Sequence, residues 1–146
     1  MWTQVPKQFV QSANMVRNAA SSTTMIFADT HILLWLASAD QRLPKTALER
    51  LIFEEQLIVS AVTAWEYADL QQRGRFGEAP PFAQIESDLT LAVVDFPAAA
   101  WPLASELPQI HRDPIDRMLV AHAIFENCEI ATADSNIRRY PVKTLW

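Results

Sequence analysis

Four carboxylates lie just after predicted strands or within predicted helices, where an α/β fold would bring them together. They are Asp29, Glu66, Asp116 and Asp134. Asp29 ends the apolar run 25–28, and Asp134 follows the strand-like segment 129–132. In an open α/β sheet, ligands bind outside the carboxyl ends of the strands. Residues just after a strand, or early in the next helix, therefore point into one crevice, and we expect the four carboxylates to meet there.

Acids gathered in one crevice have a specific chemical use. They repel one another, and burial raises their pKa values. A hard divalent cation removes the conflict, and oxygen ligands with retained waters describe a Mg²⁺ site that also holds phosphate. The pattern therefore predicts metal-assisted cleavage of a phosphodiester.

Simpler roles exist for two of these acids. Asp29 suits the N-cap of the helix predicted after it. Glu66 lies between Val62 and Leu70 on an apolar helical stripe. A carboxylate there destabilises the fold unless it is paired, bound to a metal or able to reach solvent. We interpret both as site residues.

The segment 113–116 is typical of a helix start. Asp113 suits the N-cap and Pro114 the first helical position. Asp116 heads a stripe with Val120 and Ala123 that should face inward. We assign Asp116 to the metal and Asp113 to the cap.

Asp134 suits either the metal or the cap of a short helix over 135–139, and we assign it to the metal. Three further residues are candidates for contact with substrate: Arg112, Arg117 and Thr132. The two arginines bracket the start of the helix carrying Asp116, where a guanidinium can pair a phosphate in bidentate fashion. We expect them to serve the substrate or a partner rather than the fold.

Histidine and tryptophan are assigned mainly to structure. His31 and His122 are interpreted as structural, and His111 as a contact to phosphate or a partner. Three tryptophans are interpreted as core or interface anchors: Trp35, Trp65 and Trp101.

Composition limits the class of protein. The chain has 146 residues, half of them apolar, enough for one domain with a sizeable core. One cysteine excludes an internal disulfide and fits a reducing compartment, so we expect a cytoplasmic protein. No apolar run is long enough to span a bilayer. The net charge of −5 is mild evidence against a nucleic-acid binder, but the proposed site accounts for up to four of the acids.

The order of elements predicts the fold. Residues 1–24 are polar without sustained periodicity, and we expect a dispensable extension ahead of one domain over 25–146. From Met25, strand and helix patterns alternate, which implies a parallel sheet covered by helices on both faces. The expected strands and helices are, in order, strand 25–28, helix 30–37, helix 44–55, strand 57–60, helix 61–73, helix 80–87, strand 91–94, helix 97–105, helix 114–127, strand 130–132 and strand 142–145.

Several stretches of the chain also match a known family. It resembles the PIN-domain ribonucleases, specifically VapC-type toxins of bacterial toxin–antitoxin modules. The matching segments are Phe27-Ala28-Asp29-Thr30-His31, then 59–67, 111–123, Thr132-Ala133-Asp134 and 140–146.

The resemblance implies an α/β/α sandwich around a parallel sheet of four to five strands. It further implies Mg²⁺- or Mn²⁺-dependent endoribonuclease activity, a homodimer and a neutralising antitoxin. The family's acids fall on Asp29, Glu66, Asp116 and Asp134. The expected mechanism is in-line attack of a metal-activated water on RNA phosphate, with Asp29 and Asp116 as direct ligands.

Other functions remain open at this point. A phosphatase with an aspartyl nucleophile normally needs a second acid two positions on, where this chain has His31. A DNA-directed nuclease of related architecture would need clamp and arch elements for which the chain is too short. A PIN scaffold that binds a partner without metal would not need the complete acidic set.

Overall fold

The computed structural model describes residues 25–54 and 57–146, without the side chains of 53 and 54. The extension predicted over 1–24 lies outside the described residues. Strand and helix alternate as expected along the rest. The described residues form five strands: β1 Ile26–Ala28, β2 Leu57–Ser60, β3 Ala92–Val94, β4 Glu129–Ala131 and β5 Thr144–Leu145.

Six α-helices connect the strands of the described part: α1 Thr30–Ser38, α2 Lys45–Glu49, α3 Ala61–Gln72, α4 Phe82–Asp88, α5 Trp101–Glu106 and α6 Pro114–Glu126. Three short helical turns accompany them, a π-helical turn Arg50–Glu54 after α2 and 3-10 turns Ala98–Ala100 and Ile137–Arg139.

The strands form one parallel sheet in the order β3-β2-β1-β4-β5. β1 lies at its centre, paired with β2 on one side and β4 on the other. Because every strand runs the same way, all carboxyl ends lie at one edge. The predicted α/β sandwich with a sheet of four to five strands is confirmed.

Alternate side chains of the central strands enter two cores on opposite faces of the sheet. Ile26 and Ala28 pack with α1 on one face, and Phe27 packs with α6 on the other. All three are fully buried. A strand buried on both faces accounts for the continuous apolar run in the sequence.

The helices begin and end largely where their sequences predict. Ser60 caps α3 through its side chain, and Asp113 caps α6 by accepting from the backbone N–H of Ile115 at 2.8 Å. Gly74 follows α3 at φ 71°, the left-handed conformation that glycine adopts without strain. Within residues 25–54 and 57–146, no helix has both the length and the apolar character to cross a membrane.

Candidate metal centre

All four predicted acids lie at the carboxyl edge of the sheet. Asp29 directly follows β1 and Asp134 follows β4, while Glu66 and Asp116 lie in the helices α3 and α6. The backbone N–H of Asp29 donates to Ala131 at 3.0 Å, which ties the exit of β1 to the exit of β4. The topology thus brings residues more than a hundred positions apart to one place.

Asp29 is the most buried acid of the set, with 7% of its surface exposed. One carboxylate oxygen accepts from the backbone N–H of Thr30 at 2.6 Å and so caps α1. The other accepts from the Thr132 hydroxyl at 2.7 Å. Burial nevertheless raises the pKa of Asp29 above its usual value, since the two hydrogen bonds offset only part of the desolvation.

Thr132 has a different role from the one predicted. It is fully buried, and its hydroxyl donates to Asp29 while accepting from the backbone N–H of Asp134 at 3.0 Å. Its side chain has no exposed surface in this structure, so the contact with substrate stays a prediction without support from the geometry. Thr132 instead fixes the relative position of two site acids.

Glu66 and Asp116 are held in an electrostatically unfavourable environment. Burial raises the pKa of each to about 7, and the charge of Asp29 adds to both shifts. Asp116 also raises the pKa of Glu66, and Asp113 raises both. Two neighbouring carboxyls whose pKa values are raised this far by burial and by like charges mark a place where a cation would be stabilised.

Asp134 and Asp116 meet through a histidine. His111 Nε2 lies 2.9 Å from Asp134 Oδ2 and 3.1 Å from Asp116 Oδ2. Burial alone would raise the pKa of Asp134, but the hydrogen bonds from His111 and from the backbone N–H of Asn136 lower it below its usual range. Asp134 is thus the one member of the acidic set whose pKa is lowered.

The other two histidines also take defined positions. His122 is fully buried, with Nδ1 2.8 Å from the Ser60 hydroxyl, and its predicted structural role is confirmed. His31 is exposed at the start of α1, with its ring beside those of Trp35 and Phe76.

The two candidate arginines differ. Arg112 is exposed at the site's rim. The guanidinium of Arg117 instead donates to three backbone carbonyl oxygens, those of Pro108 at 2.8 Å, Ala104 at 2.8 Å and Leu107 at 3.0 Å. Its remaining terminal N–H group lies 3.4 Å from the Tyr140 hydroxyl. These bonds contradict the prediction that Arg117 does not support the fold, because all four terminal N–H groups are used within it.

The donor set fits a hard divalent cation. Carboxylate oxygens are the ligands that Mg²⁺ takes in proteins, and Mn²⁺ accepts the same donors. Asp116 and Asp134 each offer an oxygen within 4.8 Å of the other and of His111 Nε2. The raised pKa values of Glu66 and Asp116 supply the independent reason for a positive charge here, since a cation would favour the ionised form of both.

Comparisons with known proteins agree with this architecture. The PIN domain family model matches residues 26–143. Ribonuclease VapC22 of Mycobacterium tuberculosis (strain ATCC 25618 / H37Rv) is 29% identical over 133 residues, which cover 84% of this chain and 99% of the relative.

Two solved structures share the fold. VapBC2 from Rickettsia felis, bound to a DNA fragment from their promoter, contains a chain with a TM-score of 0.59 at 21% identity, covering 83% of this chain and 97% of that one. FitAB bound to the IR36 DNA fragment contains one with a TM-score of 0.52 at 18% identity, covering 83% and 94%.

The chain belongs to the PIN domain family, since the family match spans 118 residues, 26 through 143, of 146. The resemblance to VapC-type members noted from the sequence is confirmed by the relative named above.

Proposed function

We propose that this protein is a metal-dependent endoribonuclease, the toxin of a toxin–antitoxin module that a cognate antitoxin neutralises. The observation that carries the proposal is the acidic set at the sheet edge, in which burial and mutual repulsion raise the pKa values of Glu66 and Asp116 to about 7. Such an arrangement destabilises the fold, and a bound cation would relieve it. The ribonuclease relative supports RNA as the substrate.

We assign the cation to Mg²⁺, with Mn²⁺ as a substitute. Asp29 and Asp116 would be its direct ligands, while Glu66 and Asp134 would hold water around it. When bound, the ion supplies positive charge that stabilises the negative charge developing on the phosphate. Thr132 contributes by holding the Asp29 carboxylate at 2.7 Å, so that the ligand does not have to reorganise.

Substrate contacts at the rim are assigned to one arginine. Arg112 is exposed and next to the N-cap of α6, where it can reach a phosphate or the antitoxin. Arg117 is not assigned to substrate, because its guanidinium is bound to carbonyl oxygens of α5 and of the turn before α6. This leaves Arg112 as the basic group for a salt-dependent contribution to RNA binding.

The partners follow from the same proposal. The two solved structures with this fold, VapBC2 and FitAB, support a cognate antitoxin as partner. A homodimer and a cytoplasmic location complete the proposed setting, and the buried free cysteine Cys128 fits a reducing compartment.

The deciding experiment measures RNA cleavage in Mg²⁺ and in a chelator with purified protein and matched RNA and DNA oligonucleotides. Asp29→Asn and Asp116→Asn should each lower the RNA cleavage rate about 100-fold or more, because the charge stabilisation lost is several kcal/mol. Both variants should stay folded, since their carboxylates add repulsion to the native state. Circular dichroism checks this point.

Asp69→Asn is the matched control. Asp69 is an acid on the same helix as Glu66, but it pairs with Arg73 at 2.8 Å on the surface, and such pairs contribute little. The control should cleave like the unaltered chain. Full activity of Asp29→Asn in the presence of metal would overturn the assignment. Preferential cleavage of the DNA oligonucleotide would favour a DNA nuclease, and inactivity of the unaltered chain a binding module.

A further inference from the structure

Four aromatic rings of the described structure pack against one another on the face of the sheet that α1 covers. The His31 ring lies 5.9 Å from the Phe76 ring and 6.2 Å from the Trp35 ring, measured between centroids. The Trp35 ring lies 5.7 Å from that of Trp146. Aromatic pairs interact at such separations. The rings therefore form one continuous set, in the order Phe76, His31, Trp35 and Trp146, which we call the aromatic row.

Two rings of the aromatic row are open to solvent. His31 is exposed, and Trp146 has 38% of its surface exposed. Phe76 is half-buried. Trp35 is buried, and the Arg42 guanidinium lies 5.0 Å from its ring centroid. Trp35 thus supports the row, while His31 and Trp146 offer aromatic surface to a ligand.

The aromatic row lies beside the acidic set. His31 follows Asp29 by two residues, in the first turn of α1. The pairing of β1 with β4 and of β4 with β5 places Leu145 level with Ala28 across the sheet. Because neighbouring strands are about 4.8 Å apart, the backbone of Trp146 lies about 10 Å from that of Asp29. A substrate held at Asp29 therefore lies within reach of both exposed rings.

We propose that the aromatic row is a nucleobase-binding subsite, in which unpaired bases of the RNA beside the cleaved bond stack on His31 and Trp146. The subsite rests on the proposed function, since that function places an RNA phosphate at Asp29. The bases next to that phosphate then lie along the same edge of the sheet. Aromatic side chains, histidine included, are the platforms on which proteins stack unpaired bases.

Stacking on the aromatic row defines the class of RNA. The bases must be unstacked from a duplex before their faces can meet a side chain, so the RNA is single-stranded at this point. Stacking also tolerates any base, because every base has a π-face. We therefore expect the row to select single strands with little preference for one base. A protein partner could also cover the rings, but it would not need them beside Asp29.

The test compares two probes that differ only in their bases. They are a fluorescein-labelled oligouridylate and an abasic ribose-phosphate oligomer of the same length. Fluorescence anisotropy measures both affinities in Ca²⁺, a hard cation that takes oxygen ligands as Mg²⁺ does. His31→Ala and Trp146→Ala should each weaken oligouridylate binding about 5- to 100-fold, the range for the loss of one stacked base. The affinity for the abasic oligomer should stay the same.

Two further variants serve as controls. His31→Phe keeps an aromatic ring without its nitrogens, so it should retain the affinity for oligouridylate. Phe125→Ala removes a ring that is 48% exposed near the end of α6, and α6 leads into β4 from the opposite edge of the sheet. This variant should bind both probes like the unaltered chain.

Three results would overturn the subsite. Equal losses with both probes would mean that the rings do not contact bases. Unchanged binding of both probes would leave the exposed rings to a protein partner. A loss in His31→Phe as large as in His31→Ala would assign the ring nitrogens, not stacking, to His31.

RNA cleavage by the unaltered chain in Mg²⁺ is measured alongside, and it separates the two proposals. Where cleavage is intact, any of these three results overturns the subsite and leaves the proposed function standing. Base-dependent binding of oligouridylate without cleavage of any RNA would instead overturn the proposed function and keep the subsite.

A measurement on the unaltered chain decides the matter if the alanine variants do not fold. A base stacked on a ring shifts the NMR signals of the ring protons upfield. We expect the His31 ring signals to shift with oligouridylate and to stay in place with the abasic oligomer. The fully buried His122 provides the unchanged reference. His31 signals that respond to neither probe, or to both alike, would overturn the subsite.

Discussion

At the scale of single residues, burial and mutual repulsion shift the pKa values of the carboxylates in the site. Asp29, Glu66 and Asp116 have pKa values raised by burial and by one another, while Asp134 has a lowered pKa through its hydrogen bonds. The pKa of Asp134 differs from the others because its carboxylate lies within hydrogen-bond distance of the His111 ring and accepts from the backbone N–H of Asn136. Charge at this edge therefore depends on pH near neutrality.

The pH dependence of stability follows with a definite sign. In the metal-free chain, Glu66 and Asp116 have folded-state pKa values of about 7, above those of the unfolded chain. Between the unfolded-state values of about 4 and the folded-state values of about 7, the folded state binds more protons than the unfolded chain. Stability therefore falls as pH rises across this range, and the loss is complete above pH 7. The raised pKa of His111 acts in the same direction. We expect the melting temperature in chelator to fall from pH 6 to pH 8.

Glu66→Gln tests that mechanism. Removing one carboxylate relieves repulsion, so the variant should melt higher than the unaltered chain at pH 8, by roughly 3–6 °C for an effect on the order of 1 kcal/mol. Asp69→Asn, paired only at the surface, should leave the pH profile unchanged. Calorimetry in chelator at pH 6, 7 and 8 provides the measurement. A melting temperature of the unaltered chain that rises toward pH 8 would contradict the prediction.

At the scale of elements, the connection between α5 and α6 is held by one side chain. The Arg117 guanidinium binds the carbonyl oxygens of Ala104, Leu107 and Pro108. These carbonyls lie at the end of α5 and in the turn after it. A planar fork with several fixed donors can satisfy them together, whereas a lysine ammonium cannot reproduce that geometry.

Arg117→Ala should therefore destabilise the fold by about 2–3 kcal/mol, because several carbonyl groups lose a charged donor. Arg117→Lys should recover only part of the loss. Arg112→Ala, a change at an exposed position of the same segment, should stay within about 0.5 kcal/mol. Urea unfolding of the three variants gives the comparison. Equal midpoints for Arg117→Ala and Arg112→Ala would reduce Arg117 to a surface charge.

Most elements could be predicted because their signals are local. The apolar runs of β1 and β2, and the caps Ser60 and Asp113, lie within a few residues of the structure they specify. The structure differs from the prediction where the sequence pattern is weak or where packing with distant residues decides the local conformation. The helix expected over 44–55 continues past Glu49 as a π-helical turn, and that over 97–105 begins as a 3-10 turn before α5.

The placement of the acids at this edge of the sheet was predictable for the same reason. Asp29 and Asp134 follow strands, Asp116 lies in the first turn of α6, and Glu66 lies in the helix that follows β2. His111 was weighed only as a rim contact, because its partners lie five and twenty-three positions away and no periodic pattern links them. The hydrogen bonds of Thr132 and Arg117 could not be predicted, because their partners are set by the packed fold. The residue types show which hydrogen bonds and charges these side chains can offer. Only the packed fold shows which partners they contact.

At the scale of the whole molecule, the two most exposed large aromatic side chains among the described residues are tryptophans. Trp65 in α3 is 59% exposed and Trp101 at the start of α5 is 62% exposed, whereas Trp35 is buried in the core. The prediction of a core or interface role is therefore confirmed for Trp35 as a core residue. Exposed tryptophans are enriched at interfaces because each buries a large area on association.

We expect a second copy of this chain to cover Trp65 and Trp101. Replacing both by alanine should shift the assembly from dimer to monomer, since a lost aromatic anchor typically costs at least about 2 kcal/mol of association energy. Light scattering after gel filtration over a range of concentrations measures this shift. Circular dichroism controls for folding. A double variant that remains dimeric, or an unaltered chain that is monomeric throughout, would contradict the prediction.

The boundary of the folded unit gives the last prediction. The five strands and the two cores of the described structure lie within residues 25–146, and the family match begins at residue 26. Because β1 is the central strand and is fully buried, the fold should depend on the chain from Met25 onward. A chain that starts at Met25 should keep its RNA cleavage and its melting temperature within about 4 °C of the unaltered protein.

The matched control removes four more residues. A chain starting at Asp29 lacks β1, so β2 and β4 lose their common partner and both cores lose buried residues. It should be insoluble or unfolded by circular dichroism. A fall in melting temperature of the Met25 chain beyond roughly 3–6 °C, on the order of 1 kcal/mol for a domain of this size, would instead mean that residues 1–24 stabilise the domain. Loss of cleavage at an unchanged melting temperature would assign residues 1–24 to the substrate.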